Sequence, residues 1–413
     1  MRKIYSLLTY VIAPLIPLYL RKRGKKNPAY LENWHERFGY KLYNPSIKPI
    51  IWLHAVSVGE TRAMQKLVEL IENNLPEYQI LITNMTPTGR DTAKILYPNS
   101  MVHYIPYDVS FCVQQFYKAF KPKIGVIMET EIWPNLIHFA TQYNIPLYLA
   151  NARLSDRSYS GYNRFKWALM PIINKFSGIL CQDENTANNF KKLSYVGDLS
   201  IIGNTKFDLV INNNVNQTIK QFEKMFGSKK VISFASTREG EEELILDNLD
   251  LELDVHYLII PRHPERFSVL ESLLKEKNIS YQKRSNNQQI SNDTKIIIGD
   301  SMGEMLAYYA ISYFAVIGGS FTDCGGQNPI ESIFMNTPVI FGQSMFNFAE
   351  VAKNSLQFAC AKQIKISQLK QVVNNLVSNT NEYNKLKSNC DEFIHKYQGA
   401  SEKVFAVIKQ NLL

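Results

Sequence analysis

From residue 50 onward, short apolar runs alternate with longer stretches whose apolar positions recur every three or four residues. Runs of four to eight apolar residues read as buried strands, and the longer periodic segments read as amphipathic helices. In the first half the pattern predicts strands at Ile50–Val56, Gln79–Asn84, Lys123–Met128, Ile145–Asn151, Gly178–Asp183 and Leu199–Gly203. Helices are predicted between them at Thr61–Asn73, Asp91–Tyr97, Trp133–Tyr143 and around Tyr162–Lys175. Asn212–Gln217, almost all Asn, Val and Gln, reads as a linker, after which the alternation restarts. Strands are then expected at Lys230–Ala235, Val255–Pro261, Lys295–Gly299, Tyr313–Gly318 and Pro338–Phe341, and helices at Glu239–Leu246, Gln368–Val377, Glu382–Tyr397 and Ser401–Lys409. Strand followed by helix, repeated, implies parallel sheets covered on both faces, so the fold class is α/β with two doubly wound, Rossmann-like domains. The expected divisions are a segment 1–26 set apart by composition, a first α/β domain 27–211, the linker 212–217 and a second α/β domain 218–413. Two facing domains of this kind usually bind ligands in the cleft between them, at the carboxyl ends of the strands.

Charge changes the picture at one end only. The chain of 413 residues has a net charge of +9, and seven of those charges are Arg2, Lys3, Arg21, Lys22, Arg23, Lys25 and Lys26, with no acid among residues 1–30. The rest of the chain is close to neutral, which argues against a nucleic-acid partner, since such proteins spread basic residues over a folded face. The cations flank Ile4–Leu20, an uncharged stretch rich in Leu, Ile and Tyr. No small-residue cleavage site follows it, so it is not a signal peptide. At 17 residues, with Pro14 and Pro17, it is short for a span. It crosses a membrane at a tilt, lies in the interface, or begins the first domain as a buried helix; the cations beside it favour a membrane anchor with its basic flank on the cytoplasmic side.

Five cysteines without a CxxC pair argue against a disulfide framework or a zinc site, and no HExxH or DxD string offers metal ligands. The first strand-to-helix turn lacks GxGxxG, so NAD and FAD are not expected. No cofactor and no metal are expected.

Candidate chemistry sits at strand ends. Glu60, in HAVSVGE, falls in the first turn of the helix after the first strand. It is a potential general base, although spacing alone favours a first-turn acid that complements the helix dipole, which would lower its pKa. METEIWPN places Glu129 and Glu131 beside Trp133 past another strand, as reactive acids or as a solvated loop around a core Trp. Lys206, in GNTKFD, reads on its own as a solvated lysine, or as a counter-charge for an anionic donor. In PRHPERF, Arg262 and His263 emerge at a strand end, where arginine suits phosphate; Arg266 has Glu265 or Glu271 as its nearest partners. GDSMGEM predicts a helix capped by Asp300 or Ser301, with Glu304 in its first turn and Gly303 permitting close ligand approach. GGSFTDCGGQNPIE predicts a helix start with Asn328 as N-cap, Pro329 at N1 and Glu331 at N3. Glu331 is either a capping acceptor or a partner for a ribose diol.

Taken in order, RKRGKKNPAY, ERFGY, HAVSVGE, MTPTGR, METEIWPN, NARLSDRS, GNTKFD, ASTREGEE, PRHPERF, GDSMGE, GGSF, GGQNPIE and FGQSMFNF resemble one family, the 3-deoxy-D-manno-octulosonic acid (Kdo) transferases of lipopolysaccharide synthesis. The resemblance covers residues 1 to about 350. It implies a GT-B fold with an acceptor-binding first domain and a donor-binding second domain. It also implies CMP-Kdo as donor, a tetraacylated lipid A precursor as acceptor and the inner membrane as location. Carried over motif by motif, it implies Glu60 as base, Glu129 and Lys206 as stabilisers of the transition state, and Arg262, His263, Met302, Gly303, Glu304, Asn328, Pro329, Ile330 and Glu331 as donor-binding residues. Two positions depart from the family pattern: Tyr313 stands where Asp is usual, and Gln327 where His is common.

Overall fold

The computed structural model describes residues 2–412, so the first and last residues of the expected terminal segments, Met1 and Leu413, lie outside the description. The chain forms two compact units, residues 2–208 with 397–412, and residues 209–396.

The first unit holds seven strands: β1 Ile50–His54, β2 Gln79–Asn84, β3 Met101–Tyr104, β4 Ile124–Met128, β5 Leu147–Ala152, β6 Gly178–Cys181 and β7 Asp198–Ile201. They pair in the order β3-β2-β1-β4-β5-β6-β7, with every pairing parallel. The chain steps outward from β1 to β3 and then returns beside β1 as β4, so the switch of direction lies between β1 and β4. Strand residues divide by parity between two apolar layers, as a pleat requires. Ile50 and Trp52 pack on one face with Phe116, Phe120 and Ile127; Ile51 and Leu53 pack on the other with Ile82, Val126 and Met128. Gly125 is what admits the Trp52 ring, for a Cβ there would lie 2.6 Å from it.

The second unit repeats the plan with β8 Val231–Thr237, β9 His256–Pro261, β10 Tyr281–Lys283, β11 Ile296–Ile298, β12 Ser312–Ile317, β13 Val339–Phe341 and β14 Ala361–Gln363. Their order is β10-β11-β9-β8-β12-β13-β14, again parallel throughout, with the switch between β8 and β12.

Two expected boundaries change. The Asn-rich run is no linker: it opens a helix, Asn213–Phe226, in which Asn212 caps Val215 N at 2.9 Å and Phe222 and Phe226 are buried one turn apart. Asn is frequent there because it caps helices well, which composition alone does not distinguish from a loop. The last helix, Ala400–Leu412, belongs to the first unit. Ala400, Val404 and Ile408 enter the layer under Leu53 and Val126, and the Asp208 carboxylate accepts from Gly399 N at 2.8 Å and Ser401 N at 2.6 Å. That helix needed an apolar layer more than 270 residues upstream, at Leu53 and Val126, which local periodicity does not reveal. Strands β3, β10 and β14 and the helices Ser110–Phe120, Glu184–Lys192, Glu265–Glu276 and Ala349–Gln357 depart from the expected pattern; the three strands are short and lie at sheet edges, where few side chains are fully buried.

Candidate active site

In the first unit the candidate residues meet at the switch point. Ser57 caps the short helix Val58–Ala63, and Glu60 closes the cap reciprocally. Its Oε1 accepts from Ser57 Oγ at 2.9 Å and its Oε2 from Val56 N at 2.6 Å. Glu60 therefore sits in the first turn, as its spacing suggested, but its pKa is raised and not lowered. Burial is the largest cause, partly offset by the bonds from Val56 and Ser57, and the neighbouring carboxylates of Glu129 and Glu131 push further upward. His54, just before this turn, is fully buried, with Nδ1 at 2.9 Å from Thr83 Oγ1; burial depresses its pKa to about 4, as befits a packing residue.

Glu129 follows β4 directly and sits at φ +59°, a left-handed conformation that is uncommon for a residue other than Gly, Asn or Asp. The turn aims its carboxylate at Lys206, with Nζ 2.7 Å from Oε1. Lys206 is thus paired instead of merely solvated, on a 3-10 turn whose cap is the Asn204 side chain. Glu131 accepts from Trp133 Nε1 at 2.9 Å, and its pKa is raised, chiefly by burial and further by Glu129. Thr130 fastens the loop by donating to Arg153 O at 2.6 Å. The result is three carboxylates, one ammonium and a Trp around one strand edge, with burial raising the Glu60 pKa above its ordinary value.

The candidates in the second unit gather around the ends of β8, β9, β11 and β12. Arg262 is exposed just past β9, its N bonded to Thr237 O at 3.0 Å, and His263 Nε2 lies 2.5 Å from Arg238 Nη1. Arg262 and Glu331 both act on the buried Tyr309, whose pKa is raised first by burial, then by Glu331, against Arg262. Both charges therefore lie within electrostatic reach of one side chain. Arg266 pairs with Glu242, at 2.8 and 3.2 Å, and not with Glu265 or Glu271; Glu271 takes Lys275, Lys283 and Tyr281.

Two caps differ from expectation. Glu304 is itself the N-cap of the helix Met305–Ile311, receiving Arg284 Nη2 at 2.6 Å and the Ser301 hydroxyl, while Asp300 turns to Ser285 N at 2.8 Å. Gly303, at φ +82° with open space beside it, and the exposed Met302 leave that turn accessible. In the other loop Pro329 takes the N-cap position of the helix Ile330–Phe334, one residue later than expected, so Glu331 falls at its second position. Asn328 still contributes, accepting from Ile330 N at 3.1 Å and lying 3.5 Å from Glu331 Oε1.

A residue to which the sequence assigned no role organises this second cluster. Glu241 is fully buried and accepts from Gly319 N at 2.5 Å, Arg238 N at 2.9 Å and Phe321 N at 3.0 Å. It clamps the loops after β8 and β12 together at the switch point. Gly318 lets them close: a Cβ there would lie 2.4 Å from Ser236 O. The signal was the run of acids in ASTREGEE directly after a strand.

Residues 32–209, nearly the whole first unit, match the family model described as 3-deoxy-D-manno-octulosonic-acid transferase (kdotransferase). The 3-deoxy-D-manno-octulosonic acid transferase of Haemophilus influenzae is 34% identical over an alignment that covers 100% of this chain and 99% of that protein. This chain belongs to the Kdo transferase family. The Bordetella pertussis transferase is 32% identical, with 87% of each chain covered. The fold agrees with solved two-domain structures: UDP-GlcNAc 2-epimerase from Neisseria meningitidis at TM-score 0.59 and 14% identity, covering 88% of this chain and 99% of that one, and a Rickettsia africae glycosyltransferase at TM-score 0.55 and 12% identity, covering 89% and 99%. The architecture is GT-B, and family membership makes the chain a glycosyltransferase that transfers Kdo in lipopolysaccharide core synthesis.

Proposed function

We propose that this Kdo transferase takes the sugar from CMP-Kdo and places it, with inversion, on a tetraacylated lipid A precursor. The observation that carries the reading is the raised pKa of Glu60 beside the Glu129–Lys206 pair. A general base works best when its pKa approaches the working pH while it remains ionised. Glu60 takes the proton from a primary hydroxyl of the lipid, that oxygen forms the new bond to the ketosidic carbon, and the bond to the cytidylate oxygen breaks. The electron pair leaves with CMP. The transition state has oxocarbenium character, as in glycoside hydrolysis, and Glu129 with Lys206 stabilises it electrostatically.

In this reading the second unit holds the nucleotide. Arg262 and His263 take the phosphate; the Met302–Gly303–Glu304 turn presents backbone to the base; Asn328, Pro329, Ile330 and Glu331 face the ribose. The first unit accepts the lipid at the cytoplasmic face of the inner membrane. Support for that location comes from residues 2–24, a helix of 23 residues long and apolar enough to cross a membrane, and from the seven cations beside it.

The test is the product mass formed from CMP-Kdo and the tetraacylated precursor. One added Kdo per transfer, with stoichiometric CMP, is expected. Turnover with a uridine nucleotide sugar and none with CMP-Kdo would overturn the donor assignment.

A further inference from the structure

The N-terminal helix is built the wrong way round for a soluble protein. Its residues turned toward the first unit are Arg2, Tyr5, Ser6, Thr9, Ala13, Ile16, Leu20 and Gly24, a three-four spacing that marks one face. Most of those near its start are polar. The opposite face carries Ile4, Leu7, Leu8, Val11, Ile12, Leu15 and Leu18, all large, apolar and exposed, Leu7 at 65% and Val11 at 67%. A soluble amphipathic helix buries its apolar stripe; this one turns its polar stripe, half-buried, toward the unit and presents the apolar one outward.

The inward face is fastened by specific bonds. Ser6 Oγ donates to Asn135 Oδ1 at 2.5 Å and receives Ser110 Oγ at 3.1 Å. Arg2 reaches the same Asn135 oxygen at 3.3 Å, and Tyr10 OH accepts from Phe111 N at 3.1 Å. Asn135 is in turn held by the buried Asp108, whose carboxylate accepts from Asn135 N at 2.9 Å and Leu136 N at 2.7 Å. Leu20 is buried at the far end. The outward surface continues onto the body of the unit through Phe111 and Tyr40, both exposed, with ring centroids 5.9 Å apart.

We propose that this helix lies flat in the headgroup boundary of the membrane, as a fixed ledge of the first unit, and does not cross the bilayer; the inference rests on the membrane reading above. At 1.5 Å per residue the helix is about 35 Å long, and its exposed stripe is a larger apolar patch than a soluble monomer normally shows. A lipid surface fits both of its chemistries, taking the apolar stripe into the acyl boundary and the cations at both ends into anionic headgroups. Spanning would require the helix to leave the unit. Ser6 and Tyr10 would lose their partners, Asn135 Oδ1 and Phe111 N would be stripped of theirs, and the polar stripe would enter hydrocarbon unsatisfied. Flat docking keeps every one of these bonds. Because Asn135 begins the helix that follows Trp133, the ledge also fixes the height of the Glu129–Trp133 loop above the bilayer.

Side-specific labelling tests this on the full-length enzyme. Lys3→Cys and Lys26→Cys variants are treated with a membrane-impermeant maleimide in sealed inside-out inner-membrane vesicles, and the labelled peptides are measured by mass spectrometry, which separates them from native cysteines. For a flat helix both positions react from the cytoplasmic side, with a labelling ratio of about one. If position 3 reacts only in right-side-out vesicles, the helix spans and the inference is overturned while the membrane reading stands. If high salt strips the enzyme from the vesicles, the membrane reading itself fails, and the apolar stripe is a protein-binding surface.

Discussion

The two units share a topology but build their clusters from different materials. In the first, side chains make up the cluster: three carboxylates and a lysine are crowded at the ends of β1 and β4, and one of them, Glu129, sits on a left-handed backbone. In the second, backbone carries it: Gly303, Gly319, Gly325 and Gly326 all have positive φ, and the buried Glu241 clamps the loops with three N–H bonds while Arg262 and Met302 stay exposed. Crowded carboxylates raise pKa values and suit proton transfer. A glycine-rich loop braced by a buried acid suits a ligand that must lie close to the main chain. On the proposed reading, the same fold serves reactivity at one switch point and recognition at the other.

The comparison is broken most directly at Glu60. Glu60→Gln should lower kcat by roughly 10²–10⁴-fold, with CMP affinity by calorimetry unchanged. A near-normal rate from the folded variant would remove the first unit's claim to the chemistry. Arg262→Ala should do the reverse, weakening CMP binding by about 10- to 150-fold, the equivalent of the 1.5–3 kcal/mol that a charged hydrogen bond contributes, with Glu331→Ala acting in the same direction. If neither changes CMP affinity, recognition lies elsewhere.

Glu241→Ala separates bracing from contact. It leaves buried N–H groups without acceptors, at a cost of about 1–3 kcal/mol each, so thermal unfolding should shift down and CMP affinity should fall. A stable variant with normal affinity would show that the loop holds its shape without the clamp.

Acidity sharpens the other side. Because the Glu60 pKa is raised, the ionised base is lost as pH falls through a value above that of an ordinary glutamate, so kcat/KM should decline earlier on the acid side than an unperturbed carboxylate predicts. Glu131→Gln removes one repelling charge and should move that acid limb to lower pH. An unmoved limb would assign the titration to another group. The smallest expected effect is none: with Arg262 and Lys206 supplying positive charge, turnover should persist in excess EDTA, and loss restored by Mg²⁺ would add a metal to the reaction.

Much of this was legible from residue order. Strand β2 fell where its apolar run ended, and the carboxyl-edge positions of Glu60, Glu129 and Arg262 followed from strand periodicity. The doubly wound class followed from alternation, since a parallel sheet buried on both faces writes itself as continuous apolar runs. Motif order pointed to the family. Local patterns also misled. The Asn-rich run capped a helix, Glu304 and Pro329 took cap positions meant for their neighbours, and Lys206 looked solvated when read without its partner.

What the sequence by itself determined was therefore most of what is set within one buried strand or one charge cluster: the types of the long, periodic elements, strand-edge residues, and the cationic flank of an apolar segment. Only the tertiary structure decided what depends on residues far apart in the chain. Glu129 meets Lys206 across 77 positions, Glu241 meets Gly319 across 78, Asp208 caps a helix 193 residues later, and Ser6 meets Asn135 across 129. The raised pKa of Glu60 belongs to the same class. Its sign is set by burial, which outweighs the cap bonds from Val56 and Ser57, and two carboxylates brought in from another strand add to it.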